Sequence, residues 1–388
     1  MASHLKPVPA FGPTSVDDFG LPGWTYHDAD YFAVEMERIM RPAWQIVCHA
    51  SDIPGAGDWR TMELLGESIF VVRGDDGAVR AFANVCRHRG MRIVDGERGC
   101  AKKLVCPYHA WVYELDGRLS GVPMRADYPA LDMAATGLVA VDVEIWQGFV
   151  FVRLRGRGGP SVAAMMAPAE AEIAPYKFAE MQPIGTPWSR PRQVNWKNVG
   201  DNYSDNLHIP VAHDGLSRLF GKSYAIEAHG WVDKMSGEIV DRPSANFWER
   251  FYQTHLPRVD HLPEAAQRRW VYWKLWPNMA FDIYADQIDF MHWVPVSPTI
   301  TMLRVMSYAL PDDRRTMKLA RYANERINRV VNREDTWLIE RVQAGMGSAY
   351  FTAGPLAASE VCLRSFAARI RGIIPETRMP HPPEQYTA

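Results

Sequence analysis

Cys86-Arg87-His88 and Cys106-Pro107-Tyr108-His109, separated by residues 89–105, decide how this chain is read. Each segment couples one thiol to one imidazole. Four such donors can close a tetrahedral zinc site, but zinc patterns ordinarily group Cys with Cys and His with His. The mixed order suits a [2Fe–2S] centre, in which one Cys from each segment holds the first iron and one His from each holds the second. Working outward, residues 79–85 and 103–105 read as short strands entering the two segments. Residues 113–119 leave as a strand, an Asp116-Gly117 turn and another strand. The pattern predicts two hairpin tips that present their ligands towards each other.

Cys86-Arg87-His88-Arg89-Gly90 and Cys106-Pro107-Tyr108-His109-Ala110-Trp111 resemble the cluster loops of Rieske-type non-haem iron oxygenases, the large (alpha) subunits of aromatic-ring-hydroxylating enzymes. That resemblance implies a Rieske [2Fe–2S] cluster on Cys86, His88, Cys106 and His109. It also implies a second, mononuclear Fe(II) site elsewhere in the chain.

Length and composition leave room for this. At 388 residues the chain is too long for a bare electron carrier and suits about two domains. A net charge of −2 gives no basic stripe for nucleic acid. No run approaches the roughly 20 apolar residues that span a bilayer, and residues 1–7 lack an apolar export core, so a soluble cytoplasmic protein without membrane partners is expected. Of the five cysteines, Cys48 and Cys362 lie in apolar runs and read as small buried hydrophobes, and Cys100 reads as structural.

The expected fold class is α+β. Residues 1–42 form an N-terminal segment packing on the domains, 43–155 an antiparallel β domain carrying the cluster, and 162–388 a catalytic domain with an antiparallel sheet and flanking helices. Between them Arg155-Gly156-Arg157-Gly158-Gly159-Pro160-Ser161 reads as a linker, because Ser161 and Pro160 spoil a dinucleotide loop. Strands are expected near 270–276, 279–284 and 302–308, followed by a long helix from about 314 to 345.

The second domain contains Asn202-Tyr203-Ser204-Asp205-Asn206-Leu207-His208-Ile209-Pro210-Val211-Ala212-His213. Two imidazoles and one carboxylate with open positions opposite make the facial triad of non-haem Fe(II) oxygenases. His208 and His213 supply the imidazoles. Five residues apart, they diverge by about 140° on a straight helix, so convergence needs a distortion, for which Pro210 is the expected cause. The bland alternative is a pair of helix-surface histidines. Asp205, three residues before His208, is placed to hold the ring nitrogen that does not bind metal.

The resemblance supplies the rest. The segment 332–345 is similar to the family stretch that gives the third ligand, which makes Asp335 the expected residue and Glu334 its competitor. Asp205 is expected to bridge an iron-binding His208 to the cluster ligand His109 of a neighbouring subunit, which implies a head-to-tail homotrimer, with or without β-subunits. No nucleotide fingerprint or plant-type ferredoxin motif occurs, so electrons from NAD(P)H must arrive through a separate reductase or ferredoxin. Arg87, Arg89, Arg92, Arg98, Lys102 and Lys103 are either a steering surface for that donor or an ordinary solvated rim. Asn202 and Asp205 stand three apart, as in monooxygenases and demethylases of quaternary amines, rather than four apart, as in cis-dihydroxylating members.

Oxygen is then the co-substrate, and the substrate is a small aromatic or amine molecule. The alternatives are cis-dihydroxylation of an aromatic ring and a non-enzymatic electron-transfer protein. The substrate pocket is expected among Phe220, Phe247, Trp248, Phe251, Trp273, Phe281 and Trp293, side chains that serve equally well as core.

Overall fold

The computed structural model describes residues 16–156 and 159–386; residues 157 and 158 of the expected linker lie outside the described residues. The first sheet has seven antiparallel strands in the order Gln45–His49, Phe149–Arg153, Ala140–Trp146, Val79–Ala83, Glu67–Arg73, Asp58–Leu64 and Arg98–Cys100. Alternating apolar residues on its strands bury Phe70, Val72 and Phe82 on one face and Ile69, Val71 and Ala81 on the other. A three-stranded sheet, Leu104–Val105, Val112–Tyr113 and Leu119–Gly121, stands beside it and carries the second Cys/His segment.

The two Cys/His loops close in the same way. The amide of Cys86 donates to the Met91 carbonyl and that of Cys106 to the Trp111 carbonyl, both at 2.8 Å. In return the amides of Gly90 and Ala110 donate to the Cys86 and Cys106 carbonyls, both at 3.0 Å. This closure needs a left-handed residue four positions after each cysteine. Gly90 supplies it at φ 75°, without steric cost, and Ala110 at φ 53°, against its Cβ.

The second sheet is again seven-stranded and antiparallel: Gln182–Arg192, Ile300–Ala309, Ile288–Ser297, Met279–Ile283, Arg269–Leu275, Val232–Glu238 and Ala225–His229. Strand alternation splits its residues between two faces. Trp273, Phe281, Phe290 and Met306 share a core with Trp146 and Phe149 of the first sheet. Tyr272, Asp282, Asp289 and Ser307, each one residue out of phase with that set, form a cross-strand row on the opposite face. Over that face lie the helix Trp196–Ser204 and the 32-residue helix Arg315–Met346.

The N-terminal segment packs against the helix Trp196–Ser204. Asp28 caps the helix Ala29–Glu35 by accepting the Tyr31 amide at 2.6 Å. Glu35 then accepts from Lys197 Nζ at 2.7 Å and from Trp196 Nε1 at 3.2 Å, and both charged side chains are fully buried. Tyr26 donates to Asp201 at 2.8 Å. Among the described residues no helix is long and apolar enough to cross a membrane.

Candidate functional site

At the Cys/His loops, Cys86 and Cys106 are free thiols, 3 % and 2 % exposed. The rings of His88 and His109 approach each other to 4.6 Å between centroids. Trp111 stacks on His88 at 4.8 Å and Tyr108 leans on His109 at 3.8 Å, so both imidazoles are held in fixed orientation. The Tyr113 hydroxyl lies 3.4 Å from Cys86 Sγ and accepts the Arg87 amide at 3.0 Å.

His88 Nδ1 is buried with no hydrogen-bond partner, which is costly unless an electrophile takes its lone pair. The four donors do not gather as ligands of a single ion do. Among the described residues, the one group of three or more ligand atoms within 4.8 Å of one another lies elsewhere. Two buried thiols, an orphaned imidazole nitrogen and a spread donor set therefore fit a two-iron cluster better than one tetrahedral zinc.

That compact group is His208, His213 and Asp335. The backbone brings the two histidines together by a route other than a bent helix. Helix Trp196–Ser204 stops at Asp205, whose backbone is extended, a short helix Ile209–Ala212 follows, and His213 is itself non-helical before the helix Asp214–Phe220. Pro210 causes no kink, because it occupies the second position of the short helix, where its missing N–H was unpaired anyway. Asp205 likewise reaches His208 from an Asx turn rather than along a helical face. Its carboxylate accepts the amides of Leu207 at 2.8 Å and His208 at 3.2 Å.

The hydrogen bonds dictate what the three donors want. His208 Nδ1 is 2.8 Å from Asp205 and His213 Nδ1 is 2.8 Å from Glu334. A carboxylate only accepts, so each Nδ1 is placed to donate to its carboxylate, the tautomer that leaves Nε2 free to ligate a cation. Those Nε2 atoms face each other at 3.2 Å and lie 3.7 Å (His208) and 2.9 Å (His213) from Asp335 Oδ1. Two imidazole nitrogens and a carboxylate oxygen converge on one point, a donor set that suits a divalent cation. Ligand bonds of about 2.1 Å at right angles separate donor atoms by about 3.0 Å, matching this triangle.

Asn202 donates to Asp335 Oδ1 at 2.7 Å and so fixes the carboxylate. Asp335, the expected ligand, and Glu334, its competitor, take different places: Asp335 faces both Nε2 atoms, whereas Glu334 stands behind His213. Burial raises the Asp205 carboxyl, but hydrogen bonds from the His208 ring and from the Leu207 and His208 amides outweigh it and hold it below its ordinary value.

The cluster of three opens into a cavity of about 360 Å³ between the second sheet and the two helices. None of the seven aromatic residues expected around the substrate lines it. Trp273 and Phe281 have the wrong strand parity and pack on Phe149 and Trp146 instead. Trp293 and Phe220 are covered by Tyr203 and Tyr224. Phe247 is exposed, and Phe251 stacks on His255 with Trp248 alongside.

The actual walls carry Trp188, Tyr203, Tyr224 and Tyr272, with Asp282 and Asp289. The missed signal was a lone acid in each of two apolar strands, Met279-Ala280-Phe281-Asp282-Ile283 and Ile288-Asp289-Phe290-Met291.

Comparison with known proteins agrees with this geometry. The Rieske [2Fe–2S] domain family matches residues 43–135, and the ring hydroxylating alpha subunit (catalytic domain) family matches residues 179–376. The glycine betaine monooxygenase oxygenase subunit of Chromohalobacter salexigens is 39% identical over 201 residues, 51% of this chain and 44% of the relative. The carnitine monooxygenase oxygenase subunit of Escherichia coli is 36% identical over 203 residues, 51% of this chain and 53% of the relative. The matches thus span about half the length of these curated relatives.

A solved quaternary ammonium Rieske monooxygenase superposes with a TM-score of 0.79 at 23% identity, covering 92% of this chain and 95% of the other. With its catalytic-domain match extending over half of its length, this chain belongs to the ring hydroxylating alpha subunit family of Rieske oxygenases.

Proposed function

We propose that this chain is the terminal oxygenase component of a monooxygenase that hydroxylates or oxidatively demethylates a small amine. Cys86, His88, Cys106 and His109 would hold the [2Fe–2S] cluster, and His208, His213 and Asp335 the mononuclear iron. The observation that carries this reading is the convergence of two Nε2 atoms and one carboxylate oxygen on the wall of a cavity. When bound, the cluster supplies single electrons and the ferrous ion supplies dioxygen activation.

The protein's own part is positional. Asp205 and Glu334 orient the two histidines, Asn202 aims Asp335, and Trp188, Tyr203, Tyr224 and Tyr272 wall the cavity beside them. Names of the relatives, which act on glycine betaine and carnitine, support an amine substrate.

Electrons are proposed to come from NAD(P)H through a separate reductase or ferredoxin docking on the exposed rim of Arg87, Arg89, Arg92, Arg98, Lys102 and Lys103. They would pass from His109 of one subunit through Asp205 to His208 of the next, within a homotrimer; the solved relative is described as showing inter-subunit electron transfer.

The test is iron and sulfide analysis of the purified protein, followed by oxygen uptake with a reductase and trimethylammonium compounds. Formaldehyde formed one for one with oxygen consumed is expected for a demethylase. A diol from an aromatic substrate would reassign the reaction, and a protein with iron only at the sulfur site would refute it.

A further inference from the structure

Asp282 and Asp289 are directly opposite each other on neighbouring antiparallel strands, 7 % and 8 % exposed, and both line the cavity. Like charges in that position repel, and burial multiplies the effect. Asp282 accepts from the Tyr203 hydroxyl, and Asp289 accepts from Gln287 Nε2 at 2.9 Å and from the Ser307 hydroxyl. These are neutral donors. Among the described residues, no Lys, Arg or His forms an ion pair with either carboxylate.

The other charged groups of the cavity are engaged elsewhere: Arg329 with Glu325 on the long helix and Arg192 with Asn332, while Arg190 lies over the Trp188 ring. The pair thus presents two buried carboxyl groups without a cationic partner, beside Tyr203, Tyr224 and Tyr272, to the chamber that also receives the iron ligands.

We propose that Asp282 and Asp289 are the specificity-determining anchor for a positively charged nitrogen of the substrate, and that binding of the organic cation expels a proton held by the pair. This rests on the oxygenase reading for the identity of the cavity as the substrate site, but it concerns recognition alone. In the empty cavity desolvation pushes the two carboxyls up, to about 8 for Asp282 and about 7 for Asp289, with their mutual repulsion and the nearby Asp286 and Glu325 adding to it. The pair therefore carries at least one proton near neutral pH, and a cation takes over its task of neutralising the site. Tyrosine rings add cation–π attraction for a methylated ammonium.

The test is calorimetric titration of the iron-loaded oxygenase with glycine betaine, tetramethylammonium and benzyltrimethylammonium. The uncharged-head counterpart of glycine betaine, 3,3-dimethylbutanoate, serves as control. Titrations run in two buffers of different ionisation enthalpy. At least one ammonium probe is expected to bind with proton release at pH 7 and to tighten as pH rises from 6 to 8, and 3,3-dimethylbutanoate to bind more weakly.

Asp282→Asn and Asp289→Asn together should weaken the ammonium roughly 30-fold or more and abolish the proton release. Affinity unchanged in the double variant, equal binding of the carbon counterpart, or no ammonium binding at all would overturn the proposal. Mononuclear iron content, measured on the same samples, separates its failure from that of the oxygenase reading: iron without ammonium binding removes the anchor, and ammonium binding without iron removes the oxygenase.

Discussion

The two donor clusters of this chain are built on opposite principles. The Cys/His cluster comes from two loops twenty residues apart that repeat one hydrogen-bond closure; 106–109 is the tip of a short hairpin, as expected, whereas 86–88 is not, because Val79–Ala83 and Arg98–Cys100 on either side of it pair with other strands. The histidine–carboxylate cluster joins a broken helix at 205–213 to a long helix more than a hundred residues later, and every donor needs a second residue to aim it. Loop closure fixes the first locally, whereas the second exists only once the sheet, the N-terminal segment and the long helix have assembled around it. The first is therefore insensitive to distant changes, and the second depends on its supporters.

Substitutions can break this contrast. Cys86→Ser should abolish the visible chromophore and reduce turnover to background while leaving iron on the histidine site; loss of both irons together would show that the two centres are not independent. Asp335→Ala should empty the histidine site, and Glu334→Gln should lower its iron affinity by about 10- to 100-fold, as expected for a supporting partner. Equal losses in both variants, by metal analysis after dialysis, would erase the distinction between ligand and support. Asp205→Asn should retain both metals yet cut turnover by about 100-fold, read as cluster reoxidation that no longer follows oxygen addition.

Finer tests sharpen the comparison. Because the folded-state carboxyls of Asp282 and Asp289 are raised, their contribution to stability is greatest below the unfolded value and is lost as pH climbs towards about 7 and 8. Changing both to Asn should therefore raise the melting temperature more at pH 8 than at pH 5, by about 4 °C. The smallest effect belongs to the loops. Ala110→Gly relieves a left-handed alanine and should stabilise the cluster domain by about 1 kcal/mol, whereas Gly90→Ala should cost a similar amount. A destabilising Ala110→Gly or a stabilising Gly90→Ala, measured by denaturant unfolding, would show that the two closures only look alike.

Legibility followed the same division. Cys86, His88, Cys106 and His109 could be picked out because their chemistry is local and their order unusual. The sheets and the long helix were legible from alternation and from an unbroken polar–apolar period. His208 and His213 were recognisable as a pair, but the path joining them was not, since the expected Pro210 kink is in fact two helix ends. The cavity wall was missed because strand parity decides which of two adjacent residues faces inwards: Tyr272 rather than Trp273, Asp282 rather than Phe281. Parity is set by the partner strands and by what covers the sheet, neither of which a single strand reveals. Asp335 was preferred to Glu334 only through the family resemblance, because neighbours on a helix differ only in direction, and direction has meaning only against His213.

The buried Lys197–Glu35 pair has one more consequence, for anyone trimming this protein. Removing residues 24–40 would leave an ammonium stranded in the interior, at a cost of about 3–5 kcal/mol, on the very helix that leads into Asp205. A shortened version lacking this splint would keep its brown colour and still fail as a catalyst, so pigment is a poor guide to whether such a truncation is intact.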